Sequence, residues 1–306
     1  MPSADWYFKD GVEARDKLVR KQQREIRKKY NEWAKDVREE AKILSRTPGK
    51  QDDAKKATEL YYQLKEASKR ITSEINKEIT KNINDISDVN VRTNKRWLKS
   101  LGLEDEKMNK YFSRSKDVAI RNIITGNLYE NKQPLSRRVW QVTEQNNKDI
   151  YAIVSKGIAT NSSIDDIAKQ LEKYLLPNKN LGWNSTTVIN QSGREVNIVV
   201  HNNQVDWRAQ RLARTMVQHA YQQTLVALTR DNPFVLGYIW HANGGHPCEV
   251  CEERDGMFFT ADNLPLDHPN GMCDFEVFID EQKAMNNLDL FYESPIYYPD
   301  IRRYGE

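Results

Sequence analysis

Residues 12–37, VEARDKLVRKQQREIRKKYNEWAKDV, place Val12, Val19, Ile26 and Trp33 at intervals of seven, with Tyr30 and Val37 beside them. A narrow apolar stripe on an otherwise charged stretch marks a long helix that packs along one seam. Leu44 extends the stripe, so the pattern predicts one helix over about residues 5–45, broken by Arg46, Thr47, Pro48, Gly49 and Lys50. From about Asp52, a second stripe of Leu60, Leu64, Ile71, Ile75 and Ile79 predicts another helix, ending among residues 84–90. A short connection makes the two an antiparallel hairpin.

Farther along, residues 93–176 keep the helical period in shorter pieces, with breaks at Gly102, Gly126 and Pro134. Residues 163–176, SIDDIAKQLEKYLL, read as an amphipathic helix capped by Ser163, with Asp165 and Asp166 in its first turn and residues 177–182 ending it. The period then changes. Residues 186–191 and 195–200 are short β-prone runs around Ser192 and Gly193, a hairpin pattern. Helix returns over residues 205–229 and is stopped by Asp231, Asn232 and Pro233; three strand candidates follow at 234–240, 257–260 and 275–279, with an Asp255-Gly256 turn before the middle one. The predicted fold is mainly α: a charged helical hairpin over 1–92, a helical middle over 93–182, and a small α+β module over 183–306.

Composition narrows the function classes. The chain has 306 residues, 38% hydrophobic and 30% charged, and no stretch approaches the ~20 apolar residues of a helical membrane span. Residues 1–11 hold Asp5, Lys9 and Asp10 and lack an apolar core of ~7–15 residues, so no secretory signal is expected, and the sequons at Asn161 and Asn184 carry no glycosylation meaning. Residues 1–100 contain 25 Lys and Arg against 17 Asp and Glu, whereas the remainder has 22 against 27. Positive charge therefore gathers in the amino-terminal third, where Lys17, Arg20, Lys21, Arg24, Arg27, Lys28 and Lys29 face only Glu25. Such a strip can neutralise the phosphates of double-stranded DNA without reading sequence, or can simply be a wet helix face. Arg92, Lys95, Arg96 and Lys99 around Trp97 form a second basic cluster, and Arg208, Arg211 and Arg214 are expected on a solvated helix edge.

All three cysteines, Cys248, Cys251 and Cys273, fall in the carboxyl-terminal quarter. An odd count in a chain without a secretory signal argues against a disulfide scaffold. Sixteen residues separate Cys251 from His268, and four separate His268 from Cys273. A C-x2-C knuckle with a returning His and Cys supplies the four soft and borderline donors of a closed, structural zinc site. His246 or His241 can replace His268 in that set. The run Asp267-His268-Pro269-Asn270 echoes the start of His-metal finger nucleases, but no histidine follows His268 to complete such a site. No phosphate-binding loop, zinc-protease, serine-hydrolase or dinucleotide fingerprint is present, and the many carboxylates on charged helices suggest solvated i,i+4 pairs rather than a catalytic pair.

The string Arg208-Ala-Gln-Arg-Leu-Ala-Arg-Thr215, then Ala220-Tyr221-Gln222, Tyr238-Ile-Trp240, Cys248-x2-Cys251, Asp255-Gly256 and Leu266-Asp-His268-Pro-Asn270 ending in Cys273 resembles phage minor head proteins of the Mu F, or head-morphogenesis, type. The resemblance covers about residues 120–280. Two positions depart from it. Gly271 stands where relatives commonly carry the first of two cysteines, so the tetrad must use Cys273, and Met216 stands where an acidic residue often follows the Arg-Thr pair. The resemblance implies a virion protein made in the host cytoplasm and carried inside the capsid, bound to the portal protein, and to a scaffold or major capsid protein, and acting in head assembly and DNA delivery without catalysis. Some relatives carry an appended enzyme or toxin domain after the module; with the chain ending at Glu306, none is expected here. A metal-dependent DNA-processing enzyme and a cytosolic zinc-ribbon DNA-binding protein are the rival readings.

Overall fold

Helix α1 (Ala4–Arg46) buries the first stripe, Val19, Ile26, Tyr30, Trp33 and Val37, while Val12 and Leu44 are half-buried at its ends. Helix α2 (Asp53–Ser100) buries Leu60, Leu64, Ile71, Ile75 and Ile79. The computed structural model describes residues 4–46, 53–103, 106–160, 162–175, 185–189, 195–199, 205–242 and 248–296. The expected breaks at residues 47–50 and 177–182, and the turn at Ser192 and Gly193, lie outside them.

Helix α2 corrects one expectation: it runs through residues 84–90 and stops at Ser100. Polar residues in and just beyond this stretch bond to backbone carbonyls one turn back, Asn84 Nδ2 to Thr80 at 2.8 Å, Ser87 Oγ to Ile83 at 2.7 Å and Asn94 Nδ2 to Asn90 at 2.9 Å. Asn90 donates to the Tyr221 carbonyl at 2.7 Å, and Ser87 meets Thr224 at 2.9 Å. With partners for their polar atoms, these side chains cost the helix little.

After α2 come α3 (Glu106–Thr125), α4 (Leu135–Ala159), α5 (Ile164–Leu175), an antiparallel hairpin of β1 (Ser185–Ile189) and β2 (Glu195–Val199), and α6 (Trp207–Thr229). Gly126 follows α3 with φ +85°, and a Cβ there would strike the Gln133 backbone, so only glycine fits this stop. Ser163 caps α5 as expected, its Oγ accepting from Asp166 N–H at 3.2 Å. The carboxyl-terminal part is β3 (Val235–His241), α7 (Glu249–Arg254), β4 (Phe258–Phe259), β5 (Asp274–Ile279), α8 (Glu281–Asn286) and α9 (Asp289–Glu293). The architecture is mainly α with a small antiparallel sheet near the carboxyl end, as the periodicities predict. Among the described residues, no helix is long and apolar enough to cross a membrane.

The chain groups into two compact units built from non-consecutive segments. One comprises residues 21–78 and 135–213. In it, Lys29 pairs with Glu74 at 2.9 Å and Arg70 with Asp36 at 3.7 Å, so that positions rise along α1 as they fall along α2. A polar chain runs from its core toward the surface: Asn146 donates to the Tyr30 hydroxyl at 3.0 Å, and the half-buried Asp149 takes Tyr174 at 2.7 Å and Arg208 at 3.3 Å. The other unit comprises residues 1–20, 79–134 and 214–306. There Arg96 pairs with Asp10 at 2.8 Å, Phe8 packs on Trp97, and the sheet runs in the order β4-β3-β5. On that sheet's inner face Tyr238 meets Phe275 edge-on and bonds Thr229 at 2.8 Å, while Phe258 and Phe278 touch on the outer face above Gly237, whose missing Cβ leaves room for the Phe258 ring.

Gly157 on α4 lies against Ile167 of α5, where a Cβ would overlap the isoleucine side chain. Alanine gains ~1 kcal/mol of helix propensity, but overpacking costs ~1–3 kcal/mol. Gly157→Ala is therefore expected to lower the unfolding free energy in urea by about 1 kcal/mol; a more stable variant would refute the close approach.

Candidate metal centre

Both arms of the predicted site are connections of the small sheet. The chain leaving β3 carries Cys248 as the N-cap of α7 and Cys251 inside it, with Glu252 N–H returning to the Cys248 carbonyl at 2.9 Å. Gly256, with φ +74°, then reverses the chain, donating its N–H to Trp240 at 2.8 Å, and β4 begins. The chain leaving β4 carries Asp267 and His268 and enters β5 directly after Cys273.

These arms converge. The ligand atoms of Cys248, Cys251 and His268 lie within 4.8 Å of one another, and so do those of Cys251, Asp267 and Cys273. Cys251 belongs to both groups, and the cluster can hold a metal ion. Cys251 and Cys273 are buried with Trp240 in one apolar cluster flanked by Phe259 and Leu264, Cys248 is half-buried, and His268 is exposed. The His268 Nδ1 lies 3.2 Å from the Pro269 carbonyl, which can only accept; with a proton on Nδ1, Nε2 is the ring nitrogen left to ligate a metal. Of the alternatives to His268, His241 instead faces Glu276 at 3.4 Å and joins neither group, and His246 lies outside the described residues.

Sequence reasoning did not find what holds the second arm. Asp267 is 3% exposed; its Oδ1 accepts His268 N–H at 2.8 Å, and its Oδ2 accepts Cys273 N–H at 3.0 Å and Gln218 Nε2 at 3.1 Å. Gln218 also donates to the Cys273 carbonyl. Asp267 N–H donates to Gln222 at 3.1 Å, and His219 donates Nε2–H to the Asp267 carbonyl at 2.9 Å. Thr215 accepts Asn270 N–H at 2.9 Å, and Arg15 reaches the Cys273 carbonyl at 3.4 Å. Thr215, Gln218, His219 and Gln222 recur at i, i+3, i+4 and i+7, a buried polar stripe on α6. That spacing, in a helix otherwise rich in apolar residues, was the legible trace of the loop it supports.

Gly271 and Met216 both sit where the local packing restricts the side chain. A Cβ on Gly271 would overlap the Asp267 carboxylate, so the space of a side chain at 271 is already filled. Met216 sets its sulfur 3.5 Å from the Tyr129 hydroxyl inside the core, a place without room for a hydrated carboxylate. The expected solvated edge fails at Arg214, which is buried; desolvation pushes its guanidinium down to about 10 against the pull of Asp16.

On α1, Lys17, Arg20, Lys21, Arg24 and Lys28 are exposed. Arg27 approaches the buried Asp206 carboxylate at 4.0 Å and Lys29 pairs with Glu74, while the exposed Lys17 and Lys28 lie 3.9 Å from Glu13 and Glu32 one turn away. Trp97 is buried and offers no stacking face to a nucleic acid, unlike what its basic surroundings suggest.

Burial pushes the Cys251 thiol well above its ordinary range, and hydrogen bonding of its protonated form to Cys248 and Cys273 pushes it further. A thiol with a raised pKa keeps its proton at neutral pH and must release it to ligate. Metal affinity is therefore expected to rise with pH, by about tenfold per unit for each proton displaced; a Co2+ affinity flat between pH 6 and 8 would refute thiolate coordination. Compared with protein-family models, with curated proteins and with solved structures, the chain finds no match.

Proposed function

We propose that this chain is a minor head protein of a tailed phage, held inside the capsid at the portal, acting in head assembly and DNA delivery without catalysis. The observation that supports the reading is convergence: the cysteines and the histidine of the motif string that resembles head-morphogenesis proteins meet in one cluster, with Cys248, Cys251 and His268 in mutual reach and Cys273 joined through Cys251. Separate coincidences along a sequence would not meet in space.

The metal is zinc in this reading. Three thiolates and one imidazole make a soft, tetrahedral donor set that fills every coordination position, which suits a structural ion better than a reactive one. When bound, zinc would cross-link the two sheet connections through Cys248, Cys251, His268 and Cys273. The protein's own contribution is to present these donors: α7 holds two thiols one turn apart, and the α6 stripe holds the returning arm. Purified virions are expected to contain the protein, with one zinc per chain, and Cys248→Ser is expected to lose both metal and stability. Its absence from virions, or substoichiometric zinc with Cys248→Ser as stable as the parent, would sink the proposal. Metal-dependent nicking of plasmid DNA that disappears when His268 is replaced would favour the nuclease instead.

Portal protein, and a scaffold or major capsid protein, are the protein partners in this reading, and packaged double-stranded DNA meets α1. The exposed cations there support nonspecific binding to phosphate. Reversing Lys21, Arg24 and Lys28 to Glu is expected to weaken DNA retention on filters at low salt and to flatten the log–log salt slope by roughly 3, at ~0.9 for each phosphate no longer neutralised. Equal retention by the triple variant would return the strip to solvent.

A further inference from the structure

We infer that Asp267 and Gln218 form a positioning pair that sets the metal affinity of the cluster without either side chain touching the ion. The inference rests on the metal reading above and deepens it. The Asp267 carboxylate lies in reach of Cys251 and Cys273, so ligation by its oxygens is the competing role. Its hydrogen bonds decide between the two. They go to the backbone amides of His268 and Cys273, both predicted ligands, and Oδ2 already accepts two donors. Swinging onto a metal would strip the amides of the residues that hold it. Gly271 closes the carboxylate from a further side, where even a Cβ does not fit.

Gln218 completes the device. Its amide nitrogen has two hydrogens, and both are used, one on Asp267 Oδ2 and one on the Cys273 carbonyl. Asp267 thus spaces His268 from Cys273, and Gln218 fixes that spaced pair to α6. Residues that orient metal ligands through hydrogen bonds commonly change affinity by ~10–100-fold when replaced. Here the same range is expected from either member, because each anchors a ligand-bearing backbone rather than a ligand side chain.

The test is Co2+ titration of the full chain, followed by thiolate-to-cobalt charge transfer and by d–d absorption. Asp267→Asn and Gln218→Glu keep the volume of each side chain while removing the pattern of donors and acceptors, and Cys273→Ser serves as the reference for a missing ligand. Both variants are expected to bind Co2+ ~10–100-fold more weakly than the parent, yet to give the parent's spectrum per bound ion. Affinity changed at constant spectrum is a readout that a merely structural role would not move. Where one variant lacks the parent's far-ultraviolet circular dichroism, the other decides. Unchanged affinity overturns the positioning role and leaves the metal reading standing. A shifted d–d spectrum or reduced charge transfer in Asp267→Asn overturns it in favour of direct ligation. A parent chain that binds no Co2+ overturns both.

Discussion

A carboxylate taken out of water is tolerable only where several donors replace its hydration. Asp267 has three, and two of them are backbone amides of neighbours on its own loop, so the acid organises the segment that buries it. Burial still pushes its pKa up, against the pull of His268 and of these hydrogen bonds. The loop has little secondary structure to order it between β4 and β5. Its conformation follows instead from one acid, the polar side chains of α6 and a glycine with no side chain to intrude. Cys273 takes its position from this arrangement, and the cluster takes its geometry from Cys273.

The same economy recurs in the unit of residues 21–78 and 135–213. Asp206 opens α6 with a fully enclosed side chain that accepts from Gln210 and faces Arg27. Desolvation raises its pKa, and also raises the hydroxyls of Tyr30 and Tyr174, the latter helped by its bond to Asp149. Polar groups linked in this way give helices a register that apolar stripes alone leave free to slide, because a displaced partner leaves a buried donor or acceptor unmatched.

Much of the fold was legible because its helices are amphipathic and its strands are short β-prone runs between turn residues. The stripes of α1 and α2 and the cap at Ser163 all came from local spacing. The end of α2 did not, since Asn84, Ser87 and Asn90 look like breakers until their hydrogen-bond partners are known. Cys248, Cys251, His268 and Cys273 were readable as a donor set from spacing and residue type. Asp267 was visible only as the neighbour of a histidine, and Gln218 only as one member of a polar stripe on α6, because their pairing depends on a bond across 49 residues of sequence. Arg27 and Lys29 likewise counted as free charges until Asp206 and Glu74 met them.

Exposure across the cluster is uneven: His268 faces solvent, while Cys251 and Cys273 sit behind Trp240. An ion seated there would therefore exchange with chelators from the histidine side, one wet bond opening first. Oxidants would meet the reverse obstacle, with the two inner sulfurs sheltered even while the outer ligand is detached. Such a site would meet chelators first at His268 and oxidants first at the half-buried Cys248.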